Sequence, residues 1–186
     1  MKYRAPRFLF RRYELLRRIT PGERFIEIGA ADLSLTRELL RRFHAGLAID
    51  FTDDLPESYA ALPVPLRARL EISNSDVMTE EVGGGFDCAV ACEVMEHIEN
   101  DAGFVARMHA CLKPGGQLLI SVPAKAQYWT VHDELVGHLR RYEKDELADL
   151  VSAAGFRDVN VIAYGYPWIN WLSHLRVWLA RRTLSD

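Results

Sequence analysis

Cysteine is scarce: three occur, at 88, 92 and 111, and no two form a CxxC pair. An odd, sparse set in apolar surroundings argues against a disulfide framework and a thiolate metal knot. It predicts reduced core thiols in a cytoplasmic protein. Long apolar runs are also missing, since no window approaches the roughly 18 consecutive apolar residues of a membrane-spanning helix. The short apolar stretch at residues 8–10 is too small for a signal-peptide core, and no small-residue cleavage site follows it. There is no internal repeat and no low-complexity tract. The chain is not basic overall either; its net charge is −3, against the basic footprint of a nucleic-acid binder. What remains is a composition that is 49% hydrophobic and 26% charged, which is that of a soluble globular protein. At 186 residues a single domain spanning 1–186 is expected.

The charge is unevenly spread. Lys2, Arg4, Arg7, Arg11, Arg12, Arg17 and Arg18 stand against one acid, Glu14. Such a leading helix can touch anionic lipid, nucleic acid or an anionic substrate; a solvated helix face is the favoured reading.

Along the chain the hydrophobic period alternates. Residues 11–19 read as an amphipathic helix ended by Pro21-Gly22. Residues 24–29 form a short β-branched run stopped by Gly29, hence a strand. Ser34–Phe43 repeats apolar residues at helical spacing, with Ser34 placed to cap it. Strands follow at 46–50, 67–72, 86–92, 117–122 and 159–164, and helices at 101–112, 145–154 and 168–182. Strands that are continuous apolar runs between helices imply a parallel sheet covered on both faces. The expected fold is therefore α/β, doubly wound and mostly parallel, with ligands beyond the carboxyl ends of the strands.

That placement singles out four segments. Glu27-Ile-Gly29-Ala30-Ala31 follows the first strand, where glycine lets the backbone turn tightly. Asp50-Phe51 ends the second strand, where a carboxylate can accept two hydrogen bonds from a ribose diol. Asp76-Val77 follows the third, where a carboxylate can meet an adenine amino group. Glu93-Val-Met-Glu96-His97 follows the fourth.

Together these segments resemble the Rossmann-like methyltransferases that use S-adenosylmethionine (SAM), from about Arg12 to Tyr164. CEVMEHI (92–98) resembles the segment after the fourth strand in small-molecule members related to those that modify quinones, and LKPGGQLLISVP (112–123) the family's turn into its fifth strand. The resemblance implies SAM as cofactor, with S-adenosylhomocysteine as product. It implies Glu27, Gly29, Ala31, Asp50, Phe51, Asp76, Val77 and Glu93 as the cofactor site. Two family glycines are replaced by Ala31 and Leu33. Alanine costs little if its dihedrals stay ordinary; leucine implies that the chain passes the cofactor differently, or that this position only packs. The family closes on an antiparallel strand after the sixth. Either that strand is missing here or the chain stops short of it.

The segment from Tyr128 to Tyr142 concentrates imidazole, guanidinium and phenol groups beyond what a core element needs. His138, His97, His132, Arg141 and Tyr142 are the candidate catalytic and acceptor-binding residues, because histidine titrates near neutrality and arginine pairs with carboxylate or phosphate. His138 is the expected base or acceptor-orienting group, and the acceptor a small molecule, acidic or lipid-like. The alternative for Arg140 and Arg141 is surface pairing with Glu143, Asp145 and Glu146. Glu96-His97 and His132-Asp133 match no metal-ligand spacing, so no metal is expected. The position after the fourth strand lacks the Asn/Asp-Pro-Pro-aromatic tetrad of nucleic-acid aminomethyltransferases, which excludes nucleic acid as acceptor. Trp168, Trp171 and Trp178 on the last helix suit a peripheral membrane contact, though docking on the sheet is favoured.

Two other functions compete. A catalytically silent SAM-binding or scaffold protein would explain Ala31 and Leu33. A nicotinamide-dependent oxidoreductase would share the glycine turn and the ribose acid. Asp32 weighs against the second, because its charge would repel a diphosphate at that helix start.

Overall fold

The computed structural model describes residues 6–52, 54–79 and 81–165. Its sheet is built from β1 (Gly22–Ile28), β2 (Phe43–Ile49), β3 (Leu70–Ser73), β4 (Phe86–Cys92) and β5 (Leu112–Ser121). All four pairings are parallel, in the order β3-β2-β1-β4-β5. The helices are α1 (Pro6–Leu16), α2 (Ser34–Leu39), α3 (Asp54–Ala60), α4 (Val64–Arg67), α5 (Asp101–Cys111), α6 (Val131–Leu135) and α7 (Lys144–Ala153).

The expected α/β architecture is present, and the residues explain it. Phe25 of β1 faces one apolar cluster with Leu33, Leu39, Leu40 and Leu55. Its neighbours Ile26 and Ile28 face a second with Phe86, Phe104 and Met108. A sheet buried on both faces needs strands that are largely apolar runs; β4 is apolar after Asp87, and β1 is apolar from Phe25 on except for Glu27, which accepts the Thr36 hydroxyl. The chain runs outward from β1 to β2 and β3, then returns to lay β4 on the other side of β1. That reversal opens a crevice beyond the carboxyl ends of β1 and β4. At the opposite end Asp87 accepts the backbone N–H groups of Glu23 and Arg24 and the Lys113 ammonium, clasping three strands.

Several boundaries differ from expectation. Arg67 closes α4, so β3 starts at Leu70. Ser34 is not the cap of α2: Leu33 is, and the Ser34 N–H instead bonds to Asp32 Oδ1. β5 already pairs at Leu112, then shifts register around Pro114-Gly115-Gly116 before Gln117 meets Cys88. Residues 159–164 form no strand. Their apolar run is real, but such a run reports side-chain burial, not a sheet partner. The helix expected at 168–182 lies outside the described residues. No helix among the described residues is long and apolar enough to cross a membrane. The three cysteines are free, and burial pushes the Cys88 and Cys92 thiols up to about 12.

Candidate active site

The cofactor side begins at the turn out of β1. Gly29 has φ +73°, and a Cβ there would collide with Val94 Cγ2, so glycine is required twice over. Ala31 (φ +42°) and Leu33 (φ +57°) continue the left-handed path. The condition under which alanine would cost little is thus not met. The family's glycine geometry is kept without the glycines, at about 1–2 kcal/mol per residue. Leu33 recovers this by burying its whole side chain in the core; Ala31 has no comparable compensation. Ala31→Gly should therefore raise stability by about 0.5–1 kcal/mol. Leu33→Gly should lower it by at least about 2 kcal/mol, because lost burial outweighs relieved strain. Denaturant midpoints of the two variants check this contrast; equal signs would refute it.

Asp50 holds the turn from the end of β2. Its Oδ2 accepts the Ala31 N–H at 2.7 Å and its Oδ1 accepts the Thr52 N–H at 2.9 Å. A carboxylate offers about four lone-pair sites, so two stay free for a diol. Phe51 is 77% exposed beside it, an aromatic face offered to solvent. Asp76 is exposed, with Oδ1 accepting the Met78 N–H. Val77 instead turns its side chain into the core, so only its backbone remains for a ligand.

Glu27 is placed differently from expectation. It lies buried below the turn and accepts the Thr36 hydroxyl. Burial, reinforced by Asp32 and Asp50, raises its pKa to about 8 against the pull of Thr36. From there it supports the turn through Thr36. Because the folded value lies above the unfolded one, this group's contribution is complete below about pH 4.5 and is lost as pH rises to about 8. Ligand-free protein should lose on the order of 5 kcal/mol through Glu27 over that range. Glu27→Gln should flatten this part of the pH–stability curve, which urea unfolding at pH 5 and pH 8.5 would reveal. An unchanged slope would rule the assignment out.

Glu93 follows β4 with φ +56°. Its carboxylate accepts Ser121 Oγ–H at 3.0 Å and lies 3.3 Å from Arg11 Nη1. Burial works against the Arg11 charge, but Glu93 together with Cys92 and Tyr164 outweighs it and raises the arginine's pKa. Arg11 is a site residue the sequence reading left on a solvated face. The signal was there: Arg11, Leu15 and Ile19 recur every four residues, and the last two are buried, so Arg11 continues the buried stripe.

The acceptor side is organised by Asp133, fully buried on α6. It accepts Arg141 through both Nε and Nη2, His138 Nδ1 at 2.8 Å, and the backbone and hydroxyl of Thr130. Burial would raise its pKa, but these partners outweigh it and hold the carboxyl well below the usual range. His138 therefore presents Nε2, which lies 3.8 Å from Glu96 Oε1. His97 packs edge-on against His138 with ring centroids 4.9 Å apart, and its Nδ1 bonds to the Gly137 carbonyl at 3.0 Å. Glu96 is wholly buried with neither carboxylate oxygen hydrogen-bonded. Burial and the nearby Glu93 push its pKa to about 8.

The structure thus brings His97 and His138 together. His132 stands apart, exposed on α6. Tyr142 is 2% exposed, and its phenol is tied to Asp101 and the Met95 carbonyl. Burial and Asp101 push its pKa well above the ordinary phenol value, so it braces the site and meets no acceptor. Arg141 acts through Asp133. Arg140 pairs with Asp101 and the Glu99 carbonyl, not with the acids of α7.

Comparison with known proteins accords with this geometry. A methyltransferase-domain family model matches residues 1–161. The ubiquinone biosynthesis O-methyltransferase of Pseudomonas paraeruginosa is 28% identical over 96 residues, which is 52% of this chain and 32% of that protein. The mitochondrial enzyme of the same name from Schizosaccharomyces pombe is 26% identical over 103 residues, 54% of this chain and 38% of its own length. The matches span about a third of these curated relatives. Among solved structures, the 1,6-didemethyltoxoflavin N1-methyltransferase of Burkholderia thailandensis, with S-adenosylhomocysteine bound, superposes with a TM-score of 0.69 at 23% identity. It covers 84% of this chain and 70% of its own, and it establishes the fold. Gly29, the free lone pairs of Asp50 and the exposed Phe51 suit a nucleoside cofactor that carries no phosphate. The chain belongs to the family of Rossmann-like, SAM-dependent methyltransferase domains.

Proposed function

We propose that this chain methylates a hydroxyl of an apolar, lipid-like small molecule. The observation that carries this reading is the surface around His138. Trp129, Val131, Leu135, Val136 and Leu139 are all exposed there, whereas both arginines that suggested an acidic acceptor are consumed by internal partners. A loop that shows water this many large apolar side chains suits an apolar ligand or surface. The relatives named for ubiquinone biosynthesis O-methylation support the hydroxyl.

When bound, SAM supplies a methyl group already activated by its sulfonium, so the protein needs only to align an in-line displacement and exclude water. Asp50 and the Gly29 turn hold the nucleoside end. His138 addresses the acceptor, its Nδ1 locked on Asp133 so that Nε2 orients the hydroxyl or takes its proton as the new O–C bond forms. The test is methyl transfer from SAM to a prenylated dihydroxybenzene and to the corresponding short dihydroxybenzoate. Faster turnover of the prenylated compound is expected. Preference for the carboxylate would overturn the apolar reading; tight S-adenosylhomocysteine binding with no transfer to any acceptor would favour the silent, cofactor-binding alternative.

A further inference from the structure

We propose that α1 docks this protein on an anionic membrane surface through the face it turns away from the sheet. The helix is anchored by its inner side, where Leu15 and the following Ile19 are buried in the core and Arg11 reaches Glu93. At about 3.6 residues per turn, the opposite side carries Leu9, Tyr13 and Leu16 as a ridge. Arg12 runs along one flank of that ridge, and Phe10 and Arg17 along the other. Leu9, Phe10, Arg12, Tyr13 and Arg17 are exposed, and Leu16 is half-buried. Against α2 this outer surface forms a shallow groove, to whose wall Glu38 and Arg42 contribute.

Charge alone would leave this a solvated helix face, but two features do not fit one. The first is the ridge itself. Leu15 and Ile19 already supply the helix's contact with the core, so folding has no use for a second apolar line on the outer side. Exposed apolar and aromatic side chains flanked by arginine are the pattern of a helix that lies in the plane of a membrane interface. The second feature is the charge surplus. Arg12, Arg17, Arg41 and Arg42 gather here, while the two neighbouring acids are already taken, Glu14 by Arg17 and Arg18 and Glu38 by Arg41. Arg12 carries no ion pair among the described residues. Arg17 lies over the Tyr13 ring at 5.7 Å from its centroid, so the ring can enter the headgroup layer while the guanidinium stays with the phosphates. An anionic lipid surface complements both the surplus and the ridge. A nucleic-acid backbone would complement the charge but offers nothing to Leu9 and Tyr13.

Docking on this face brings the crevice to the lipid. Arg11 ties the inner side of α1 to Glu93 at the end of β4, so the crevice lies about one helix diameter, roughly 10–12 Å, from the outer face. The acceptor loop hangs on the same turn, where the Leu139 N–H bonds to the Glu96 carbonyl. A lipid-like acceptor would then reach the site without crossing bulk water. That purpose rests on the proposed function; the docking itself rests on α1 alone.

The test uses the full chain without SAM or acceptor, so its failure and that of the proposed acceptor are separate events. Sedimentation is measured with vesicles of equal parts phosphatidylglycerol and phosphatidylcholine, and with vesicles of phosphatidylcholine alone. Binding to the anionic vesicles is expected, weaker by about 10-fold or more on the neutral ones and at about 1 M salt. Arg12→Glu combined with Arg17→Glu should weaken it by about 100-fold, because two attractive charges become repulsive. Leu9→Ser combined with Tyr13→Ser should weaken it by about 10-fold and keep the anionic preference. Both variants should retain the parent's circular dichroism and its affinity for S-adenosylhomocysteine. No binding to anionic vesicles, equal binding to both kinds, or binding unchanged in the arginine variant would overturn the proposal, as would tighter capture by duplex DNA. Unfolding of the Leu9/Tyr13 variant would overturn it too, because the ridge would then be covered by the chain itself. So would a dimer that this variant disperses, since a second copy would be the occupant.

Discussion

Replacing Asp133 with alanine should cost about 3–5 kcal/mol, among the largest losses any single polar substitution in this chain could produce. The carboxylate is completely buried and gathers five donor groups from three residues of one loop: Nε and Nη2 of Arg141, Nδ1 of His138, and the hydroxyl and N–H of Thr130. Removing it leaves the guanidinium of Arg141, only 17% exposed, without its countercharge. An uncompensated buried charge costs more than the intact pair ever contributed. The Thr130 capping box at the start of α6 is lost with it, which adds roughly 1 kcal/mol. Asparagine should rescue little, since its amide nitrogen must face Arg141 or His138, both donors. Urea unfolding gives the global loss, and hydrogen exchange across residues 124–142 shows where it falls. A deficit below about 1 kcal/mol would mean that the network is decoration. The same geometry fixes the acid response. The carboxyl titrates well below the ordinary value, so its stabilisation is present above about pH 4 and is lost as pH falls toward the folded value.

Asp133 also shows where a sequence stops being readable. Its neighbour His138 and its own acidity are visible in the chain, and their density between Tyr128 and Tyr142 was enough to mark an acceptor segment. What the sequence does not display is which partner each charge finds. Arg141 satisfies Asp133, and Tyr142 reaches Asp101 some forty residues away, because the 124–142 loop folds back over the turn after β4. Local periodicity carries no information about such returns. By contrast β4 was legible to the residue and β1 to within two residues at either end, since a strand covered on both faces is a nearly continuous apolar run. The misread strand at 159–164 and the early start of β5 share one cause. Strand character in sequence records side-chain burial, whereas membership of a sheet depends on backbone partners that only the tertiary fold supplies. Arg11 went unread for the opposite reason: charge is ordinarily exposed, and its ion pair with Glu93 lies on an element far away in the chain.

Asp50 carries the second large effect, this time on affinity. Asp50→Asn should weaken S-adenosylhomocysteine binding by about 100-fold or more, although the side chain changes by one heavy atom. Both carboxylate oxygens already accept backbone N–H groups, Ala31 on one side and Thr52 on the other. An asparagine has one acceptor oxygen, so in either orientation its amide nitrogen confronts a backbone donor. The turn must then yield at Ala31, whose φ of +42° is already in the left-handed region. The diol also loses one charged acceptor, worth about 1.5–3 kcal/mol, and displacement of the turn weakens the other bond. Together these reach the roughly 3 kcal/mol that a 100-fold change requires. Calorimetric titration with S-adenosylhomocysteine measures it, alongside a denaturation curve to confirm that the variant is folded. Because Glu27 is buried beneath the turn with its carboxylate engaged by Thr36, Glu27→Gln measured in parallel should change that affinity far less. If Asp50→Asn binds within about threefold of the parent while Glu27→Gln abolishes binding, the roles of the two carboxylates are reversed and the ribose site must be sought at the end of β1.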